Sequence, residues 1–501
     1  MKFRMIALAA MALAGTAQAA NILPATIATG IANGTVKEIR IFGASAQSPL
    51  IGAAMKTVVC KNATDFTTYF DTTTGSNHRA YACTLAIKYG NYVAGTMVFL
   101  NKRDAGGSVY GVNPVALNSA QNTMVVDGAC AATGQVNPPA TVAAYTCAAV
   151  TLKTPHAGIS DAEPAQFSKV VTIKATPTNL NLPAGVDDNG STWAVLTTAQ
   201  QTAMDISAIN QTLFGIAVNT NLRNALQTAQ GLVSGSDLAD QQPSMPRAFY
   251  AAAISGFVKG GSANATWKTL TGLAGDEAKQ VNICRRANGS GTQVTSNLFF
   301  LEAGVLASDA LGMLAPLTAV GALAPTGTLA VIENSSTGNV ETCLTNTTVS
   351  NSGGYAMGIV SMEKDPIAGA KAYRFVKIDG AAPTKALARK GGYPYVYSAS
   401  MQFNTSVMNA LVDQKAFVIK MRTDLGKPAI IATLDAVTKA GVMANPNSYT
   451  ANCANAAGTD LSEGSCVERM DLKSAFNTNS YINGLTAKFK TNSNQALHIV
   501  K

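Results

Sequence analysis

The chain has 501 residues, 13% of them charged and 47% apolar, with a formal net charge of +9. That length is too great for one core and calls for two or more lobes. The charge excess is modest and no dense Lys/Arg run is interleaved with aromatics, so nucleic acid is disfavoured and anionic ligands are only mildly favoured.

The opening MKFRMIALAAMALAGTAQAA reads as a secretory signal peptide over residues 1–20. Lys2 and Arg4 form the positive region, Met5 to Ala14 an apolar stretch too short to span, and Ala17-Gln18-Ala19 the cleavage pattern. No cysteine sits at the cut and no later stretch offers about 20 uninterrupted apolar residues. The expectation is a periplasmic or secreted monomer without a membrane anchor. Residues 21–35 read as a loose polar segment. Residues 36–42 read as a strand, 43–47 as a tight turn and 48–59 as a helix opened by Ser48-Pro49, with proline where its missing N–H costs nothing. Residues 61–92 and 116–150 read as polar insertions, the first tied by Cys60 and Cys83 and the second holding Cys130 and Cys147. Between them, 96–101 forms a strand that runs into the Gly/Ser turn 102–111. Ser160 and Asp161 follow a short apolar segment.

Further along, 212–219 reads as a strand, 221–230 and 244–256 as helices. Lys279 to Leu306 carries the densest local signal. Residues 279–285 alternate as a strand ending in Arg285 and Arg286, and Ala287 to Gly291 form a turn that needs glycine's access to positive φ. Val294, Leu298, Leu301 and Val305 then make one helical stripe. Such a junction aims backbone N–H groups, a helix dipole and an arginine at a small anion; the alternative is a glycine-rich turn that only joins two elements. Arg285 reads as the solvated neighbour and Arg286 as the inward one. Strands follow at 328–332, 355–362, 372–378 and 394–404, helices near 405–415 and 427–440, then a polar tail. Alternating strands and helices indicate an α/β architecture.

The eight cysteines fit an oxidising compartment. They allow 105 pairings; nearest-neighbour spacing suggests Cys60–Cys83, Cys130–Cys147, Cys284–Cys343 and Cys453–Cys466. Zinc is disfavoured because no C-x₂-C spacing or partner histidine exists. A serine hydrolase elbow and a P-loop are absent, so no enzyme activity, catalytic residue, metal or cofactor is expected.

The ordered turns GASAQSP (43–49), GGSVYGV (106–112), GISDAEP (158–164), FGIAVN (214–219) and ICRRANGSGT (283–292), with YAMGIVSMEK (355–364) and YPYVYSASMQF (393–403), resemble the phosphate-binding proteins of phosphate ABC importers. These are type 2 periplasmic binding proteins. The resemblance implies a two-lobed α/β fold with two crossover strands, near 212–219 and 394–403, which this chain interrupts with its disulfide-bearing insertions. Residues 21–215 would begin lobe I, 216–393 form lobe II, and 394–501 return to lobe I and end in the tail. Carried over by position, Ser45, Ala46, Ser108, Asp161, Arg286, Ser290, Gly291 and Thr292 would hold the anion. Asn288 stands in the site where the family has an aspartate. The implied function is capture of inorganic phosphate or a similar tetrahedral oxyanion for import, with an ABC permease as partner. The alternative is a secreted protein using the fold for phosphate sequestration or a surface, adhesive role.

Overall fold

The computed structural model describes residues 22–72, 77–133, 143–168, 170–173, 176–185, 187–301, 315–389, 392–438 and 441–443. Its organising feature is a mixed, 14-stranded sheet. Twelve of its strands form one continuous path. In chain order they are β1 (Val36–Gly43), β2 (Thr67–Asp71), β3 (His78–Thr84), β4 (Met97–Arg103), β5 (Ala131–Thr133) and β6 (Ala143–Cys147). β7 (Ala157–Ser160), β8 (Met204–Asn219), β9 (Val281–Arg286), β10 (Leu329–Asn334), β11 (Ala356–Ser361) and β12 (Val396–Asn404) complete them. The order across the sheet is β10-β9-β11-β8-β12-β7-β1-β4-β3-β2-β6-β5.

β8 and β12 lie antiparallel at the middle of this path. β8 spends Met204 to Leu213 paired with β12 and then Phe214 to Val218 paired with β11. On one side β9, β10 and β11 run parallel to each other, and on the other β1 runs parallel to both β4 and β7. In a parallel set every strand finishes at the same end, where the following turns gather; ligands of open α/β sheets sit at such ends. The apolar residues sort accordingly. Val396 and Tyr397 of β12 pack in one core with Phe214, Ile283, Val294 and Met357. Met401 and Phe403 of the same strand pack in a second, with Ile39, Ile41, Leu50 and Phe417. β12 therefore passes from one core into the other. The fold is α/β with a large mixed sheet, as the sequence indicates.

Near the ends of β1 and β7 three glycines touch backbone to backbone. A Cβ on Gly43 would come within 2.8 Å of Gly111 Cα, and one on Gly158 within 2.7 Å of the same atom. A Cβ on Gly111 would meet Phe42 O at 2.9 Å. Only residues without side chains allow these turns to approach so closely.

Several sequence readings need correction. Residues 24–32 form a helix (Pro24–Ala32), opened by a proline at its first turn, and are not a loose segment. The 61–92 stretch is not loop alone: it holds β2 and β3 of the main sheet. It reads as polar because Thr67, Thr68 and Asp71 are buried with partners: Thr67 Oγ1 accepts the Ile22 N–H at 3.0 Å, and Asp71 faces His78 at 2.9 Å. The 116–150 stretch likewise contributes β5 and β6. The helix expected from 48 to 59 is α1 (Ser48–Ala54) continued by a π-helical turn, Met55–Val59. A 14-residue helix, Val412–Leu425, starts within the first of two helices read at 405–415 and 427–440 and runs through most of the gap left between them. Disulfides Cys60–Cys83, Cys130–Cys147 and Cys284–Cys343 are present. The signal segment, Val305 and Cys453–Cys466 lie outside the described residues.

Candidate functional site

Four turns meet where the parallel strands end. After β9, Arg286 is only 2% exposed and is held from one side. Its Nε donates to Asn334 O at 3.3 Å, Nη1 to Thr337 Oγ1 at 3.1 Å and Nη2 to Ser335 O at 2.9 Å. A guanidinium carries five N–H donors, so this anchoring fixes the group and leaves two in hand. Thr337 opens α3 (Thr337–Leu344), and Cys343 of that helix is bridged to Cys284 of β9. The disulfide thus ties the strand bearing the arginine to the helix that positions it.

The turn ends in α2 (Gly291–Leu301), every residue of which is buried. The first N–H groups of a helix have no intrahelical acceptor and carry its positive dipole end. Ser290 and Thr292 are buried beside Gly291 at that end. A Cβ on Gly291 would clash with Ser108 Oγ and stand 2.7 Å from Asp161 Cβ, so the turns after β4 and β7 close directly on the helix start. Val109 N–H donates to Gly289 O at 2.8 Å, and Ser108 Oγ accepts the Asp161 N–H at 3.0 Å.

Asp161 is 2% exposed. Its Oδ1 accepts from Gln47 Nε2 at 3.4 Å, and that nitrogen also donates to Thr212 Oγ1 at 2.7 Å. Burial pushes the Asp161 carboxyl up to about 6, against the Gln47 hydrogen bond and the charges of Arg286 and Lys102. Burial also lowers Arg286 to about 10, opposed by Asp161, Glu363 and Asp104, so it remains a cation at neutral pH.

The first turn is built differently. Ser45 is half-buried and Ala46 buried, on a three-residue 3₁₀ turn before α1. Behind them, fully buried Lys102 donates to Gly43 O at 2.8 Å, to Ala44 O at 3.4 Å and to Asp104 Oδ1 at 2.6 Å. Ser48 Oγ donates to Asp104 at 2.6 Å.

The structure thus brings Ser108, Asp161, Arg286, Ser290 and Gly291 together, with Thr292 one residue along the helix. Asn288 is turned to a neighbour: its Oδ1 accepts from Arg285 Nη1 at 3.1 Å. Arg285 is not solvated. It is 8% exposed and pairs with Glu333 at 2.5 Å, because the parallel neighbour β10 places that carboxylate directly opposite it. Gln47, Lys102, Asp104 and Glu363 escaped the sequence reading. Their one signal is position: Lys102 and Asp104 end an apolar strand, and Glu363 follows another.

A cavity of about 350 Å³ lies elsewhere, lined in part by Arg223, Asp237, Leu238, Lys364, Arg374 and Phe375. Its arginines are engaged, Arg374 holding both oxygens of Asp237 at 2.7 and 2.8 Å and Arg223 one of them at 2.6 Å. Its lining includes Met362 and Lys364 but none of Ser108, Asp161, Arg286, Ser290 and Gly291, and we do not place the anion there.

No known family profile matches the chain, and no curated protein matches it. Among solved structures it is similar to a protein assigned as a phosphate ABC transporter substrate-binding protein, with bound phosphate, from Clostridium perfringens. That pair is 11% identical with a TM-score of 0.40, covering 81% of this chain and 99% of the other. An ABC-type phosphate transport receptor from Vibrio cholerae is 12% identical, TM-score 0.36, over 81% and 99%. PstS from Borrelia burgdorferi is 10% identical, TM-score 0.33, over 81% and 98%.

Proposed function

We propose that this chain is a solute-binding protein that captures a tetrahedral oxyanion, inorganic phosphate foremost, between the turns after β4 and β7 and the start of α2. One observation carries the reading: a buried, one-sidedly anchored arginine and a buried acid face each other across the N-terminus of an 11-residue helix. Tetrahedral oxyanions need many donors. Arg286 supplies charge-assisted ones, the helix start supplies backbone N–H groups, and the hydroxyls of Ser108, Ser290 and Thr292 stand beside them. Asp161 suits a protonated oxygen such as that of HPO₄²⁻, which it can accept from, whereas a bare oxyanion would meet a carboxylate. Nothing in this arrangement pairs a nucleophile with a base, so binding and release are the chemistry it supports. Delivery to an ABC permease, as the sequence resemblance implies, is part of the proposal.

Calorimetric titration of the mature protein with phosphate, sulfate and molybdate tests it. The expected result is one site per chain that takes phosphate; heat of binding from none of the three anions would end the oxyanion reading.

A further inference from the structure

Glu363 stands two residues beyond β11, at the edge of the Arg286 cluster. β11 runs parallel beside β9 with Cys284 opposite Gly358, so both strands finish at the same end of the sheet. Met362 donates its backbone N–H to Leu213 O at 3.0 Å. The residue before Leu213 is Thr212, whose hydroxyl shares Gln47 Nε2 with Asp161. Glu363 therefore leaves the sheet next to the contact chain that holds Asp161. Its Oε2 is buried and accepts no hydrogen bond among the described residues. The titratable and charged groups around it are Lys364 beside it, Asp161, Arg286 and Tyr373.

We propose that Glu363 is a specificity-determining acid of this site, donating a hydrogen bond from its protonated carboxyl to an oxygen of the bound oxyanion. The inference rests on the oxyanion reading. Its first argument is charge. Arg286 is the cation that faces both Asp161 and Glu363, while Lys102 is already committed to Asp104 and three carbonyls. A dianion brought among two ionised carboxylates would be repelled at short range in a site sheltered from water; one acid kept neutral removes that repulsion. The second argument is hydrogen bonding. A buried, unpartnered carboxylate oxygen is costly, whereas the same group carrying a proton becomes a donor in need of an acceptor, which the anion supplies. Burial raises the Glu363 carboxyl to about 7, against the Lys364 charge and hydrogen bonding from Ser361 and its own backbone, and this is the direction the role requires. Asp161 then accepts from a protonated anion, and Glu363 donates to a deprotonated one. The site takes phosphate and sulfate alike under mildly acidic conditions and loses sulfate first as pH rises.

Sulfate is the probe, since its charge is constant across the range used. Titrated into the full mature chain between about pH 5.5 and 8.5, sulfate should lose affinity about a hundredfold per pH unit above pH 7, because both Asp161 and Glu363 must then take up a proton to admit it. Glu363→Gln retains a donor that does not titrate, so its sulfate affinity should fall only about tenfold per pH unit there, through Asp161 alone. A wild-type measurement guards against a misfolded variant. Calorimetry in buffers of different ionisation enthalpy should show sulfate binding near pH 7.5 taking up more than one proton, and HPO₄²⁻, which Asp161 accepts from without protonation, taking up about one near pH 8.5. No more than one proton with sulfate and none with HPO₄²⁻, or the same pH slope in wild type and Glu363→Gln, overturns the role of Glu363. Failure of the wild type to bind either anion at any pH overturns instead the reading on which it rests.

Discussion

The two strand–turn–helix junctions at residues 36–54 and 281–301 look alike in sequence: an apolar strand, a run of small residues, a helix. In space they have opposite polarity. At the first, two turn carbonyls converge on a buried lysine, and a three-residue 3₁₀ turn separates the strand from a seven-residue helix. At the second, carbonyls from the next strand restrain an arginine from behind, while an 11-residue helix begins at the turn itself. One junction offers acceptors to a cation that is part of the protein; the other, in the function proposed above, offers donors to an anion that is not. A small-residue turn between strand and helix shows that backbone polar groups converge. Which sign they present depends on the buried charge placed nearby: Lys102 from the neighbouring strand β4 at the first junction, Arg286 from the end of the junction's own strand at the second.

Substitution of the two cations separates these roles most strongly. Lys102→Met leaves Asp104 buried without its nearest cation, and breaking such a pair costs about 3–5 kcal/mol. Urea denaturation should show that loss in stability; a variant with full stability and impaired anion binding would make the junctions equivalent after all. Arg286→Ala should do the reverse, weakening phosphate by about 2–5 kcal/mol, or about 30-fold and more, because a sheltered charge partner is gone. The fold should survive it, since the Asp161 carboxyl left behind can take up a proton. Unchanged phosphate affinity in calorimetry would reduce the second junction to a turn.

A smaller effect sharpens the contrast by geometry alone. Gly291→Ala adds a methyl group against Ser108 and Asp161, and such overpacking costs about 1–3 kcal/mol. Phosphate affinity should fall accordingly while the unfolding midpoint in excess phosphate falls with it; an unaltered titration would mean that the turns need not close on the helix start.

The smallest effect concerns acid. Burial holds Asp161 near 6 against an ordinary 3.8, and Glu363 near 7 against 4.5. Folded-state values above unfolded ones mean that each contribution to stability is complete below the unfolded pKa. It is lost as pH rises through the folded pKa. The ligand-free protein should therefore gain a few degrees in Tm between about pH 8 and pH 5, followed by differential scanning calorimetry. The Asp161→Asn, Glu363→Gln double variant should flatten that rise.

How much of this was legible beforehand depended on how local each cause was. The second junction was legible because its strand, turn glycines and helix stripe are contiguous. Three disulfides matched the nearest-neighbour scheme because their cysteines join elements close in sequence, 17 to 59 residues apart. β8 was read at half its length. Its first half, MDISAINQ, mixes polar and apolar residues, and Asn210 is buried there only because Gln47, 163 residues away, accepts its side-chain N–H at 2.9 Å. The same holds for β2, which hides threonines and an aspartate behind distant partners. Arg285 was misjudged because its partner Glu333 is supplied by sheet pairing. Glu363 could not be singled out at all: one acid among 28 Asp and Glu, its placement is a product of strand order.

The meeting point of Gly43, Gly111 and Gly158 carries a consequence for anyone re-engineering this protein for a new ligand. Cores are normally retuned by trading volume, a larger side chain here against a smaller one there. At this node there is no side chain to give up, so a methyl group added at one glycine has no compensating partner. The node also fixes how far apart the turns carrying Ser45, Ser108 and Asp161 can stand. If the anion sits as proposed, its size is not adjustable from this side, and a designer seeking room for a bulkier anion must find it in the side chains along 286–292 and at Glu363.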